Sequence, residues 1–220
     1  MSKKNISQEK IIQAFLTSAF DKSAGGTSLA DVADSLEIKK ASLYNHFESR
    51  DAMYIACVEY CKNQIGAVDF LVQKVMDSII NGKAVVLAVF KKLIARYFSL
   101  FDSEPLFKMY VFVHTEQYFN AECLKIVQNQ NEKVSEDIKN IFTAFMQKGQ
   151  IKEKSEKEIK DLACDCTSLI MHQLDSYIAV RKETVRLNPE TGAGSLFELP
   201  SDNNIINRAT KLVESFLNCL

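Results

Sequence analysis

No stretch of this sequence alternates apolar and polar residues as a half-buried strand would, and none stays apolar for long. The longest fully apolar run, Ala84 to Phe90, has seven residues. A bilayer-spanning helix needs about 20. Behind the opening Met-Ser-Lys-Lys-Asn there is no apolar run that could act as a signal peptide, so a cytoplasmic location is expected. Without a secretion signal, the six cysteines (57, 61, 123, 164, 166 and 219) are not expected to form a disulfide framework. Charge of one sign is also lacking. The net charge is −1, which argues against a protein that coats nucleic acid through bulk charge. Residues 1–50 carry seven Lys/Arg and six Asp/Glu, a balance of only +1. Any DNA contact must come from a few well-placed cations, doubled in a dimer.

Nearly every segment instead shows the three- and four-residue spacing of amphipathic helices, so the fold class is all-α. Ile11, Ile12, Phe15, Leu16 and Phe20 form one stripe behind a Ser7 cap, and the run 23–26 (Ser-Ala-Gly-Gly) stops it. Ser28 and Asp31 suit a capping box for a second helix with Leu29, Val32, Ala33 and Leu36 inside. Glu37 falls in the turn, Lys39 or Lys40 starts a third helix, and Ser49 opens a fourth. Longer helices are expected at 68–80, 84–101, 105–117, 121–148, 156–182 and 204–219. Residues 187–203 form one long irregular stretch with two of the three prolines.

The second and third helices read as a helix-turn-helix, in which one helix enters the major groove and the other braces it. Leu43 and Phe47, four apart, would anchor the third helix to Phe15, Val32 and Leu36. That turns Lys40, Ala41, Ser42, Tyr44 and Asn45 outward. Lys40 can donate to guanine, Asn45 can pair with adenine, and Ala41 or Ser42 can meet a thymine methyl. Ser28, Lys39, Tyr44, His46 and Arg50 are suited to phosphate oxygens. The acidic residues at 31, 34 and 37 must face away from DNA. Glu37 falls in the turn, where a non-glycine residue forced to positive φ would cost on the order of 1 kcal/mol.

The segments Thr27–Ala33, Ile38–Phe47 (ending in Leu-Tyr-Asn-His-Phe) and Ser49–Met53, behind an N-terminal helix, resemble the DNA-binding domain of the TetR family. The resemblance covers about residues 5–65 and extends to 66–220 by architecture only. It implies an N-terminal three-helix helix-turn-helix domain and a larger helical-bundle domain for ligand binding and dimerisation. A homodimeric regulator on a palindromic operator follows, with repression and release by a small effector implied by the family. No cofactor, no metal, no membrane partner and no enzymatic activity are expected.

For the effector, aromatics concentrated in the middle of the chain suggest a largely apolar or aromatic molecule. Their spacing is first that of a core. The residues expected near it are Phe90, Tyr97, Phe101, Tyr110, His114, Gln117, Phe142, Met146 and His172. For the dimer face, the last two helices offer Cys166, Leu169, Ile170, Tyr177, Ile206, Ala209, Leu212, Val213 and Phe216. The same stripes would also serve to close one subunit's own core. Two other classes stay open. Cys57 and Cys61, four apart, could make a redox- or metal-responsive regulator. His114, Glu116, Glu122, His172 and Asp175 could be drawn into a metal enzyme site, but there is no Glu-x-x-His pair, nucleotide loop or nucleophile motif.

Overall fold

The computed structural model describes residues 6–188 and 203–218, and among them it holds ten α-helices and no strand. The first four are α1 (Gln8–Lys22), α2 (Leu29–Ser35), α3 (Lys40–Leu43) and α4 (Arg50–Gly66). Then come α5 (Gln73–Ile80), α6 (Val86–Asp102), α7 (Leu106–Glu116), α8 (Ala121–Gln147), α9 (Glu156–Leu187) and α10 (Asn203–Leu217).

Local chemistry sets most of these ends. The Ser7 hydroxyl accepts from the Lys10 amide at the start of α1, and Ser49 does the same for Ala52 at α4. Ser28 with Asp31 at α2, and Ser155 with Glu158 at α9, form complete capping boxes. Glu37 takes φ +56° in the turn between α2 and α3. Ser23, which ends α1, takes φ +72°.

Two boundaries differ from the sequence reading by five residues, the others by at most two. Helix α5 starts at Gln73, not at 68. The preceding segment is held by Phe70, which is fully buried, and by the Leu71 amide donating to Asp137 Oδ2 at 2.9 Å, a tertiary bond that replaces a helical one. Helix α9 runs on to Leu187, past 182, with Glu183 and Arg186 paired on its last turn. The irregular stretch expected at 187–203 lies, between 189 and 202, outside the described residues.

The chain folds as two compact units. Residues 1–67 are joined by 104–127, while 68–103 and 128–220 form the second unit. The reason is packing that sequence distance hides. In the first unit, Phe112 of α7 meets Phe15 edge-on (6.3 Å between centroids) and Tyr54 at 5.8 Å, while Phe20 meets Phe107 at 5.3 Å. Each such ring contributes about 1.5–3 kcal/mol through burial. In the second unit, α6 lies at the centre and packs with α9 and α10. Phe98 meets Tyr177, Phe90 meets Phe142, and Tyr97 lies between Phe70 and Phe101. An ion pair between Asp102 and Arg181, 2.8 Å long and largely shielded from solvent, joins α6 to α9.

Candidate nucleic-acid interface

The geometry around α3 is built from the inside out. Leu43 (1% exposed) and Phe47 (8%) are buried, and the amides of His46 and Phe47 both donate to the Leu43 carbonyl. The helix proper ends at Leu43 and residues 44–46 continue it as a turn. With these anchors fixed, Lys39, Lys40, Ala41, Tyr44 and Asn45 are exposed, and Ser42 and His46 are half-buried. Tyr44 is 52% exposed. Its phenol, the Lys40 ammonium and the Asn45 amide are each accessible and of a chemistry that suits base edges and phosphates.

A contact from α1 completes this end. The Gln8 side-chain amide donates to the His46 carbonyl at 3.0 Å, across 38 residues, and nothing in the sequence signalled it. Tyr60 of α4 donates to Glu9 and accepts from Gln13, so α1 is also bonded to α4.

Two residues expected at phosphates have other partners. The Ser28 hydroxyl and amide are both bonded to Asp31 in the capping box, which uses the donors that a phosphate would need. Asp31 is also bonded to Lys22 at 2.5 Å. The Lys22 ammonium, followed by the two Ser28 bonds, holds the Asp31 carboxyl well below the usual carboxylate range and raises Lys22 in turn. The charge of Asp31, one of the three acidic residues expected to face away from DNA, is thereby offset locally. Arg50 points inward: its Nε donates to the Thr27 carbonyl at 2.9 Å and an Nη to the Ala24 carbonyl.

The first unit contains a further polar knot. Tyr54 of α4 donates to Glu116 Oε2 at 2.9 Å and accepts from the Asn120 amide at 3.1 Å. Burial first, then the Glu116 bond, pushes the Tyr54 phenol upward, so it stays a donor. Cys57, Cys61 and Cys123 are buried in the same unit. Burial pushes the Cys57 thiol well above its ordinary value and Cys123 up to about 12. Cys57 and Cys123 are therefore neutral thiols at neutral pH, a poor starting point for oxidation or metal binding.

The residues expected near an effector are divided between the units. Phe90, Tyr97, Phe101 and Phe142 are buried in the second; Tyr110, His114 and Gln117 belong to the first. There Tyr110 stacks on His114 at 3.7 Å, and Gln117 donates to the His114 carbonyl. Met146 is half-buried with its sulfur accepting from the Lys154 amide, and His172 is exposed on α9. The grouping of His114, Glu116 and Glu122 with His172 and Asp175 likewise falls across two units. Among the described residues, no three His, Cys, Asp or Glu are placed to hold a metal ion. One cleft of about 390 Å³ lies in the second unit, lined by Val85–Leu87, Gln150–Lys152, Glu214, Leu217 and Asn218. Another, of about 540 Å³, lies beside α1 between Lys10, Thr17 and Leu36. Neither has an aromatic wall.

Of the expected dimer face, Cys166, Ile170, Tyr177, Ala209 and Val213 are buried within the second unit itself. They close this chain's own core, because α10 packs back onto α9 and α6. Leu169, Ile206, Leu212 and Phe216 remain half-buried, and Val180 and Leu187 are exposed on α9.

Comparisons with known proteins agree with this geometry. The family model described as bacterial regulatory proteins, tetR family, matches residues 11–57, from α1 into α4. The biofilm operon icaADBC HTH-type negative transcriptional regulator IcaR of Staphylococcus aureus is 28% identical over 172 residues, 77% of this chain and 81% of its own. Among solved structures, a TetR transcription regulator from Haloarcula marismortui superposes with a TM-score of 0.59 at 12% identity, covering 97% of each chain. FadR from Bacillus subtilis, in complex with stearoyl-CoA, gives 0.55 at 15%, covering 97% of this chain and 100% of that one. The helix-turn-helix anchored by Leu43 and Phe47 thus matches the tetR family model, and the all-helical chain as a whole is similar to TetR-family transcription regulators.

Proposed function

We propose that this protein is a homodimeric repressor that binds a palindromic operator and is released by a small, largely apolar effector. The observation that carries the DNA part is the outward set of Lys40, Ala41, Tyr44 and Asn45 above buried Leu43 and Phe47. Lys40 and Asn45 read base edges, Ala41 or Ser42 meets a thymine methyl, and Lys39, Tyr44 and His46 contact phosphates. Repression is favoured by the relative IcaR, which is named a negative regulator. A single recognition helix touches only a few base pairs, so two copies related by a two-fold axis supply the specificity. Their shared face is formed by what α9 and α10 leave uncovered: Leu169, Val180, Leu187, Leu212 and Phe216.

The effector binds in the second unit among Phe90, Tyr97, Phe101 and Phe142. Gln130 supports this: it is buried beside Tyr97, to whose hydroxyl its amide donates at 3.1 Å, and its Oε1 has no hydrogen-bond partner in the structure. A donor on an otherwise apolar molecule would satisfy that oxygen. Stearoyl-CoA in the fold neighbour FadR is one example of a ligand with a long apolar part. Such a molecule releases DNA only through a difference in affinity between two arrangements, about 5.5 kcal/mol for a full switch.

Selection of duplexes from a random-sequence library by the purified protein tests the reading. Enrichment of a palindrome bound by two copies is expected, followed by release on adding fatty acids or acyl-CoA esters. Enrichment of no sequence would overturn operator binding. A palindrome that no tested apolar molecule releases, although one binds, would overturn the effector part alone.

A further inference from the structure

We propose that Arg50 serves DNA recognition as a positioning residue that closes the base of the helix-turn-helix, and not as a cation at a phosphate. The inference rests on operator binding and adds to it how the reading surface is held. Arg50, at the first position of α4, reaches back to the loop before α2. Its Nε donates to the Thr27 carbonyl, 23 residues earlier, and its Nη to the carbonyl of Ala24. The guanidinium lies over the Phe15 ring, 5.8 Å from the centroid, and Phe15 is fully buried. Its other Nη lies 3.7 Å from the exposed Asp51 carboxylate, which offsets its charge.

The receiving loop is itself well determined. Thr27 is buried, its hydroxyl donates to the Ser23 carbonyl at 2.8 Å, and its amide donates to Ala24. Every group expected to read DNA lies between Thr27 and Arg50. The arginine therefore ties together the two ends of the segment that carries α2 and α3. This adds a direct bond between the entry to α2 and the exit from α3 to the ties that Lys22 and Gln8 of α1 make with Asp31 and His46. Closing a loop of this length removes conformational freedom that the recognition surface would otherwise have to lose on binding. The planar fork and the stacking on Phe15 are arginine properties that a lysine does not reproduce, although lysine keeps the charge.

That difference supplies the test, made on the full-length protein. The probes are a duplex selected by the wild type from a random library and an unselected duplex of equal length. R50K and R50Q are both expected to lose at least about tenfold in affinity for the selected duplex. The salt dependence and the affinity for the unselected duplex should stay at the wild-type level. A phosphate contact predicts the reverse: R50K near wild type, R50Q weakened on both duplexes, and a salt slope lower by about one per subunit. That result, or wild-type behaviour of both variants, would overturn the proposal. Should either variant lose helix content, the wild-type protein decides by NMR. An Arg50 Nε–H that exchanges slowly and does not shift when the selected duplex is added supports the clasp. One that exchanges at the solvent rate, or shifts on addition, overturns it. A wild type that selects no duplex would remove the operator reading, an outcome distinct from any behaviour of the variants.

Discussion

At the scale of single residues, the helix-turn-helix separates buried anchors from the exposed side chains proposed to read DNA. Leu43 has no exposed surface to give to DNA, so Leu43→Ala acts through stability. The loss is about 2–5 kcal/mol, checked by denaturant titration. Lys40→Ala should leave the unfolding midpoint unchanged and cost about 1–3 kcal/mol of operator affinity, with preference relaxed at the contacted base pair. Competition assays with single-base variants of a selected site measure both. Asp31 gives a pH signature. Its folded-state carboxyl titrates below the ordinary 3.8, so its contribution is fully present above pH 3.8 and disappears as pH falls through the depressed value. Asp31→Asn should therefore lower Tm at neutral pH, and the gap from wild type should narrow below pH 3.8. A gap that is constant with pH would mean that the Lys22 and Ser28 bonds add nothing in solution.

At the scale of elements, α7 changes how the N-terminal unit is understood. Its Phe107 and Phe112 complete a core begun by Phe15, Phe20 and Tyr54, and Glu116 and Asn120 bond the Tyr54 hydroxyl. Tyr54→Phe keeps the ring and removes the hydroxyl, leaving Glu116 and the Asn120 amide without that partner. A loss of about 1–3 kcal/mol in stability is expected, measured by chemical denaturation. Helix α3 is only four residues long and is held less by its own hydrogen bonds than by Leu43 and Phe47 below it and Gln8 at its end. Short helices depend on such tertiary support. The turn before it depends on Glu37 at positive φ, so Glu37→Gly should be tolerated in stability and DNA binding.

At the scale of the whole molecule, the two units do not coincide with a simple cut in the chain. A fragment ending at residue 67 lacks the α7 rings that cover Phe15 and Tyr54. It should show reduced helix content and loss of cooperative unfolding by circular dichroism, whereas the full chain unfolds cooperatively. The uncovered apolar positions of α9 and α10 make the proposed two-copy assembly testable. Val180→Glu with Leu187→Glu should shift the protein toward monomer in sedimentation and weaken operator binding. A monomeric wild type would sink that arrangement.

The periodicity and punctuation of the sequence by themselves determined ten helices, several of their caps and the helix-turn-helix with its inward and outward faces. These features are legible because capping, turn chemistry and the 3.6-residue repeat act over a few neighbouring residues. Long-range packing decided the rest. Arg50 and Ser28 have the chemistry of phosphate contacts, yet their partners are Thr27, Ala24 and Asp31. Five of the residues expected at the dimer face close the chain's own core, because an apolar stripe looks the same whichever chain covers it. Helix α7 joined the N-terminal unit through rings nearly 100 residues from Phe15 in sequence. A side chain's type states what it can bind; only the tertiary structure decides which of several equally suitable partners comes within reach.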